Sequence, residues 1–244
     1  MCTVTFIPRS LDGFILTSNR DEAPARKAIK PRVYNVKGVE LLFPKDEVAG
    51  GTWFGLSSKK RLICLLNGGF TAHEREDNYR MSRGSIVTDL LISEDVLSAI
   101  DTYKFIGVEP FTIILVDWKM ELVLYELVWD GLLSHFSEKP LAPQIWSSSL
   151  LYSGEMKKER EAWFSEFILN NLNPTEAEVL EFHRTAGDGS NETDLIMDRG
   201  FVKTISITQL SKSKLATFRH EDLQTAELSQ VEISNNWEIK SETF

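Results

Sequence analysis

The sequence predicts an α+β chain built mainly on antiparallel sheets, with helices on their outer faces. Three observations carry this. Strand and helix signals arrive in blocks (strands, helices, strands, helices, strands) and not in the strict alternation of a doubly wound parallel sheet. Gly50-Gly51 and Asn67-Gly68-Gly69 punctuate the first block with turns that need positive φ or close backbone approach. The 244 residues show no internal repeat, low-complexity tract or clear linker, so one domain over 1–244 is expected.

Taken in order, Thr3 to Ile7 alternates β-branched and apolar residues up to Pro8, and Leu11-Asp12-Gly13 supplies turn chemistry. Gly13 to Ser18 then returns as the second arm of a hairpin. Asn19-Arg20-Asp21-Glu22 ends that arm, and residues 23–31 read as a basic, proline-bounded loop. Further strands are expected at 39–43, 52–57 and 61–66. Helical spacing covers 84–91 and 93–103, with Ser93 as N-cap of the second helix. Strand composition returns at 111–116, 122–127 and 131–136, followed by helices at 157–170 and 175–183. An acidic loop at 186–198 precedes a hairpin at 203–209 and 215–220. Residues 235–244 read as a polar tail with a disordered end.

Composition excludes several function classes. The net charge of −9 leaves no basic face for nucleic acid. No run reaches the ~18 apolar residues of a membrane span. The N-terminus lacks the basic start and apolar core of a signal peptide, so a cytoplasmic location is expected. His73, His135, His183 and His220 show no metal-ligand spacing, and Asp188, Asn191, Glu192, Asp194 and Asp198 do not follow a calcium loop. Gly50 to Gly55 lacks the lysine and helix of a phosphate loop. Neither metal nor cofactor is expected. Cys64 lies in the apolar run 62–66 and reads as a buried strand cysteine.

Cys2 differs. Aminopeptidases remove Met1 before a small second residue, which leaves one residue carrying both a thiol and an α-amine. The amine pKa of about 7.7–8.0 lets a useful fraction act as base toward the thiol near neutrality. In a tight hairpin, Asn19-Arg20-Asp21-Glu22 returns close to the chain start. Arg20 then suits a thiolate or a substrate carbonyl, and Asp21 suits the amine. A solvated turn is the alternative reading of those four polar residues.

The run Met1-Cys2-Thr3 followed by Asn19-Arg20-Asp21-Glu22 resembles the NRDE family, also called the transport-and-Golgi-organisation protein 2 family. Gly50-Gly51-Thr52-Trp53-Phe54-Gly55, Leu66-Asn67-Gly68-Gly69, Ser82-Arg83-Gly84, residues 147–151 and Lys158-Glu159-Arg160 follow in order. The resemblance implies an N-terminal-nucleophile hydrolase fold: a four-layer αββα sandwich of two antiparallel sheets flanked by helices. It is similar to choloylglycine and penicillin V acylases, which cleave amides with an N-terminal cysteine. It implies Cys2 as nucleophile, Arg20 and Asp21 as the charged pair, and Asn67 with the following backbone near the oxyanion. Ser148 stands where those acylases carry an asparagine. Lys203 and Thr204 stand nearest to their late-strand arginine. Asn19, Trp53, Gly68 and Lys203 are the expected substrate contacts.

Two functions follow. One is an amidohydrolase acting on non-peptide C–N bonds, linear or lactam. The other is a non-catalytic binding or trafficking protein for haem or a lipid-like ligand. The expected partner is a small-molecule amide or hydrophobic ligand, and a homo-oligomer is allowed.

Overall fold

A computed structural model describes residues 2–10 and 12–243; Met1, Leu11, Phe244 and the side chain of Cys2 lie outside the description. The expected Leu11 turn residue and the removal of Met1 therefore fall outside the described residues. The chain opens as the expected hairpin, β1 (Cys2–Arg9) and β2 (Gly13–Glu22). Gly13 is fixed in place because a Cβ there would sit 2.8 Å from the Lys212 carbonyl oxygen. Both arms run longer than the pattern indicates. Pro8 lies within β1 opposite Phe14, beyond the Thr3–Phe6 stretch that carries a neighbour on the other side. That edge is open at the proline, where a missing N–H is tolerated.

β3 (Ala28–Val36), β4 (Val39–Asp46), β5 (Phe54–Ser57) and β6 (Arg61–Asn67) follow. The expected 23–31 loop is shorter than read, because β3 absorbs Pro31 at an irregularity between Ile29 and Arg32. Then come α1 (Arg83–Ile92) and α2 (Val96–Thr102). Asp95, not Ser93, caps α2, since its carboxylate accepts the N–H groups of Leu97 and Ser98. Ser93 closes α1 instead, and its hydroxyl donates to the Leu90 carbonyl.

The second half contains β7 (Phe111–Asp117), β8 (Val123–Trp129), β9 (Ser134–Lys139), β10 (Gln144–Ser147), α3 (Gly154–Asn170) and α4 (Glu176–Thr185). A capping box of Thr175 and Glu178 starts α4. The chain closes with β11 (Lys203–Lys212), β12 (Ala216–Asp222), β13 (Leu228–Ile233) and β14 (Ile239–Thr243). The expected polar tail is thus in part a strand. β14 is exposed throughout and is held by its ladder to β13, not by burial.

The elements form two compact units. One runs from the chain start to Ala25 and takes in Leu141–Ser147 and everything from Leu151. Its antiparallel sheet has the order β10-β1-β2-β11-β12-β13-β14. Helices α3 and α4 cover one face over a core of Ile7, Ile15, Phe164, Val179, Phe182 and Leu195. The other unit comprises Arg26–Pro140 and Ser148–Leu150, with the antiparallel order β3-β4-β5-β6-β7-β8-β9. In it α1 packs on β4, β5 and β6. Gly51 and Gly84 let two backbones touch there, since a Cβ on Gly51 would lie 2.5 Å from the Gly84 carbonyl carbon. The α+β class with two antiparallel sheets and packed helices is as expected. Among the described residues no helix is long and apolar enough to cross a membrane.

Candidate functional site

β2 divides the four polar residues between its two faces. Asn19, Arg20 and Asp21 are 0, 3 and 0% exposed, so this is a buried strand end and not a solvated turn. Side chains alternate along a strand. Arg20 is therefore on the face opposite to Asn19 and Asp21. The ladder sets Cys2 against Arg20 in β1–β2 and Arg20 against Ser206 in β2–β11.

The face carrying Asn19 and Asp21 is braced by a closed polar network. The Asn19 amide donates to the carbonyls of His183 at 2.9 Å and Leu195 at 2.8 Å. Its oxygen lies 2.7 Å from His183 Nδ1, and Thr5 Oγ1 lies 2.7 Å from His183 Nε2. This arrangement fits a neutral imidazole that donates from Nδ1 and accepts at Nε2. Burial, and then the Arg160 charge, pushes the His183 pKa down to about 3. Asp21 accepts from Thr204 Oγ1 at 2.7 Å and from the Tyr152 hydroxyl at 2.6 Å. Burial raises its pKa, against the pull of Arg160 and both hydroxyls. Fully buried Arg160 donates to the carbonyls of Thr193 at 2.9 Å and Asp194 at 2.7 Å and to Thr3 Oγ1, and lies 3.6 Å over the Tyr152 ring.

Asn19, expected to touch substrate, thus has its amide fully engaged inside the protein, and Asp21 has a hydroxyl on each oxygen. The sequence offers Thr204 only as a neighbour of the late-strand arginine position and Arg160 only within the run Lys158-Glu159-Arg160, and it does not mark Tyr152 or His183 as site residues. No local spacing marks them, because their partners lie far away along the chain.

The opposite face carries the row Arg20, Ser206 and Asp222, and the backbone of Cys2 stands in register with Arg20. The next row holds Val4, Ser18, Thr208 and His220. Thr208 Oγ1 lies 2.8 Å from His220 Nδ1, and burial lowers the His220 pKa to about 4. The buried hydroxyls of Ser18 and Ser206 have no hydrogen-bond partner among the described residues. Lys203 opens β11 opposite Glu22, and the ladder shifts register between Thr204 and Ser206.

These two histidines make acid stability a test of the packing. Both are neutral in the fold, with pKa values below the unfolded value of about 6.5. Between pH 6.5 and their folded values the unfolded chain binds more protons, so stability falls as pH falls. Asp21 opposes this at the acid end, because its raised pKa favours proton uptake by the folded chain. Urea unfolding is expected to show a loss of roughly 2 kcal/mol per histidine between pH 6.5 and 5. His183→Gln is expected to remove about half of this loss, with the His220 share remaining.

In the second unit, Asn67-Gly68-Gly69 forms a turn held by hydroxyls. Ser148 Oγ donates to the Asn67 carbonyl at 2.6 Å, Thr112 Oγ1 to that of Gly68 at 3.0 Å and Ser149 Oγ to that of Gly69 at 2.5 Å. The Gly68 N–H donates to the Pro110 carbonyl at 3.0 Å. Gly68 has φ +89, and a Cβ there would lie 3.0 Å from the Leu150 nitrogen. Asn67, Gly68 and Ser148 are thus brought together, with the Ser148 proton directed at Asn67 and not into open space. Trp53 is 6% exposed, and its carbonyl accepts from Leu65 at 2.7 Å. Cys64 is buried in β6, as expected of a strand cysteine.

Solved structures share this fold. Conjugated bile acid hydrolase from Clostridium perfringens, as a variant, matches with a TM-score of 0.58 at 8% identity, over 100% of this chain and 97% of that one. The Caenorhabditis elegans N-acylethanolamine-hydrolyzing acid amidase ortholog matches with a TM-score of 0.60 at 12% identity, over 86% and 92%. Penicillin V acylase from Agrobacterium tumefaciens matches with a TM-score of 0.56 at 10% identity, over 97% and 93%. These likenesses bear out the N-terminal-nucleophile hydrolase fold and, at such identities, the fold alone. No curated protein sequence matches the chain. The family model for Transport and Golgi organisation 2 matches residues 1–129. That stretch covers more than half the chain and holds β1, β2 and the turn at Asn67, so the chain belongs to the Transport and Golgi organisation 2 family.

Proposed function

We propose that the chain is an amidohydrolase in which removal of Met1 exposes Cys2 as nucleophile, acting on a non-peptide C–N bond of a linear amide or lactam. The observation that carries this reading is the register of Cys2 opposite Arg20, a guanidinium only 3% exposed at a strand end. A positive charge in a water-poor setting favours the thiolate over the thiol. The three structural neighbours support the reading, since their names are those of a hydrolase, an amidase and an acylase.

In this mechanism the α-amine takes the thiol proton and the thiolate attacks the carbonyl carbon. The tetrahedral intermediate collapses, the ammonium protonates the departing nitrogen, and a thioester remains. The amine then takes a proton from water, hydroxide attacks the thioester, and the proton returns to the sulfur as the acid leaves. Asn67 and the backbone after it carry over as oxyanion donors. Asn67→Ala is expected to lower turnover by about 10²–10³-fold. Ser148 acts on that turn through the Asn67 carbonyl and is a positioning residue in this scheme.

Intact mass after a thiol-reactive lactone probe tests the proposal. The expected result is a chain lacking methionine and carrying one adduct, absent in Cys2→Ala. An adduct that survives in Cys2→Ala would move the reactive thiol to Cys64 and overturn the proposal.

One observation favours the second reading, a binding protein without turnover. The Ser148 and Thr204 hydroxyls, at the two departures from the acylases, donate to Asn67 and Asp21. Haem or a fatty acid bound equally by wild type and Cys2→Ala, with no adduct on either, would establish that reading.

A further inference from the structure

We propose that the free edge of β9 pairs with the same strand of a second copy, giving a two-fold dimer in which two sheets join edge to edge. The sheets end in four edge strands, β3, β9, β10 and β14. Open edges invite pairing with other chains unless they are blunted. β3 contains Pro31 and a register shift, and β10 has only four residues. β14 carries Lys240 and Glu242 and follows a register shift at Ile233. β9 shares only the charges, and these sit at its far end. It pairs with β8 without a register shift over six residues, holds no proline, and has its acidic and lysine charges only at Glu138 and Lys139.

Apolar groups gather along the same edge. Leu132 is 80% exposed, Leu133 65%, Phe70 56% and Phe136 39%. Phe70 meets His135 edge-on at 4.9 Å, and Phe136 stacks on Tyr125 at 5.0 Å. Each ring thus has one aromatic neighbour and remains exposed to solvent.

The ladder fixes how two copies can meet. The Asp130 N–H donates to the Leu133 carbonyl at 3.3 Å and closes the β8–β9 turn. Hydrogen-bonding direction alternates from that pair onward, so Ser134, Phe136 and Glu138 point their backbone groups outward. Two antiparallel copies can bond only through these residues, which places the two-fold axis at His135, Phe136 or Ser137. An axis at His135 pairs Ser134 with Phe136 and leaves Glu138 beyond the end of the partner strand. An axis at Ser137 sets Phe136 against Glu138 and His135 against Lys139, an unfavourable set. An axis at Phe136 sets Phe136 against its own copy, Ser134 against Glu138 and His135 against Ser137. Aromatic pairs stabilise opposite positions and no like charges face each other, so the axis passes through Phe136.

Sedimentation velocity at micromolar concentration tests this. Wild type is expected to sediment at twice the 27.8 kDa chain mass. Phe136→Lys, which sets two ammonium groups on the axis, is expected to sediment as a monomer with an unchanged far-ultraviolet spectrum. Glu138→Pro removes only an outward N–H, so it spares the β8 ladder and is also expected to be monomeric. On oxidation Phe136→Cys is expected to give a linked dimer and Ser137→Cys none. A monomeric wild type, a dimer untouched by both edge variants, or linkage through Ser137→Cys alone would overturn the proposal.

Discussion

Arg160→Met is expected to lower the unfolding free energy by about 3–5 kcal/mol, the usual scale for removing one partner of a buried charge network. The side chain is wholly buried, and its three nitrogens donate to Thr193, Thr3 and Asp194 while the plane lies on Tyr152. Methionine fills much of the volume but donates nothing. Two carbonyl oxygens then lose their partners in a dry setting. The Asp21 carboxyl also loses the positive charge that most lowers its pKa, and its already raised pKa is expected to rise further. Urea unfolding at pH 7 measures the loss. A change below about 1 kcal/mol would mean that water replaces the guanidinium and that the network is not closed.

Asn19→Ala is expected to cost about 3 kcal/mol or more through the same network, since each unsatisfied buried group costs about 1–3 kcal/mol. The His183 and Leu195 carbonyls lose donors, and His183 Nδ1 loses its acceptor. The distinguishing readout is chemical. Labelling of Cys2 per folded molecule is expected to match wild type, because Asn19 lies on the face away from Arg20. A labelling rate that falls tenfold in fully folded Asn19→Ala would return Asn19 to the substrate side. Urea midpoints and labelling rates taken on one sample separate the two outcomes.

Much of the fold is legible in the sequence, for identifiable reasons. β2, β4, β6 and β7 announce themselves because their alternation or apolar runs match the burial they acquire. β14 does not, because every residue is exposed and only pairing with β13 makes it a strand. Pro8 and Pro31 read as stops, yet both lie in strands where an edge or an irregularity accepts a missing N–H. The candidate site is legible as a list of residues and not as an arrangement. Asn19, Arg20 and Asp21 read as one polar group, whereas the period of two already divides them once β2 extends to Glu22. The bracing side chains leave no local trace, since Thr5 and His183 lie 178 positions apart.

The order of strands in the first sheet has a consequence at the ribosome. β2 lies between β1 and β11, and Glu22 pairs with Lys203. About 180 residues separate the two partners, which at ~5–20 residues per second is a wait of roughly 10–40 s. The sheet of β3 to β9 is contiguous in the chain and has all its strands before β11 is made. The opening hairpin, with Cys2 at its start, therefore leaves the exit tunnel as an unfinished edge, and its central neighbour arrives last. Pairing β2 with β11 closes the longest loop in this sheet, so this closure is expected to be the slow step of folding.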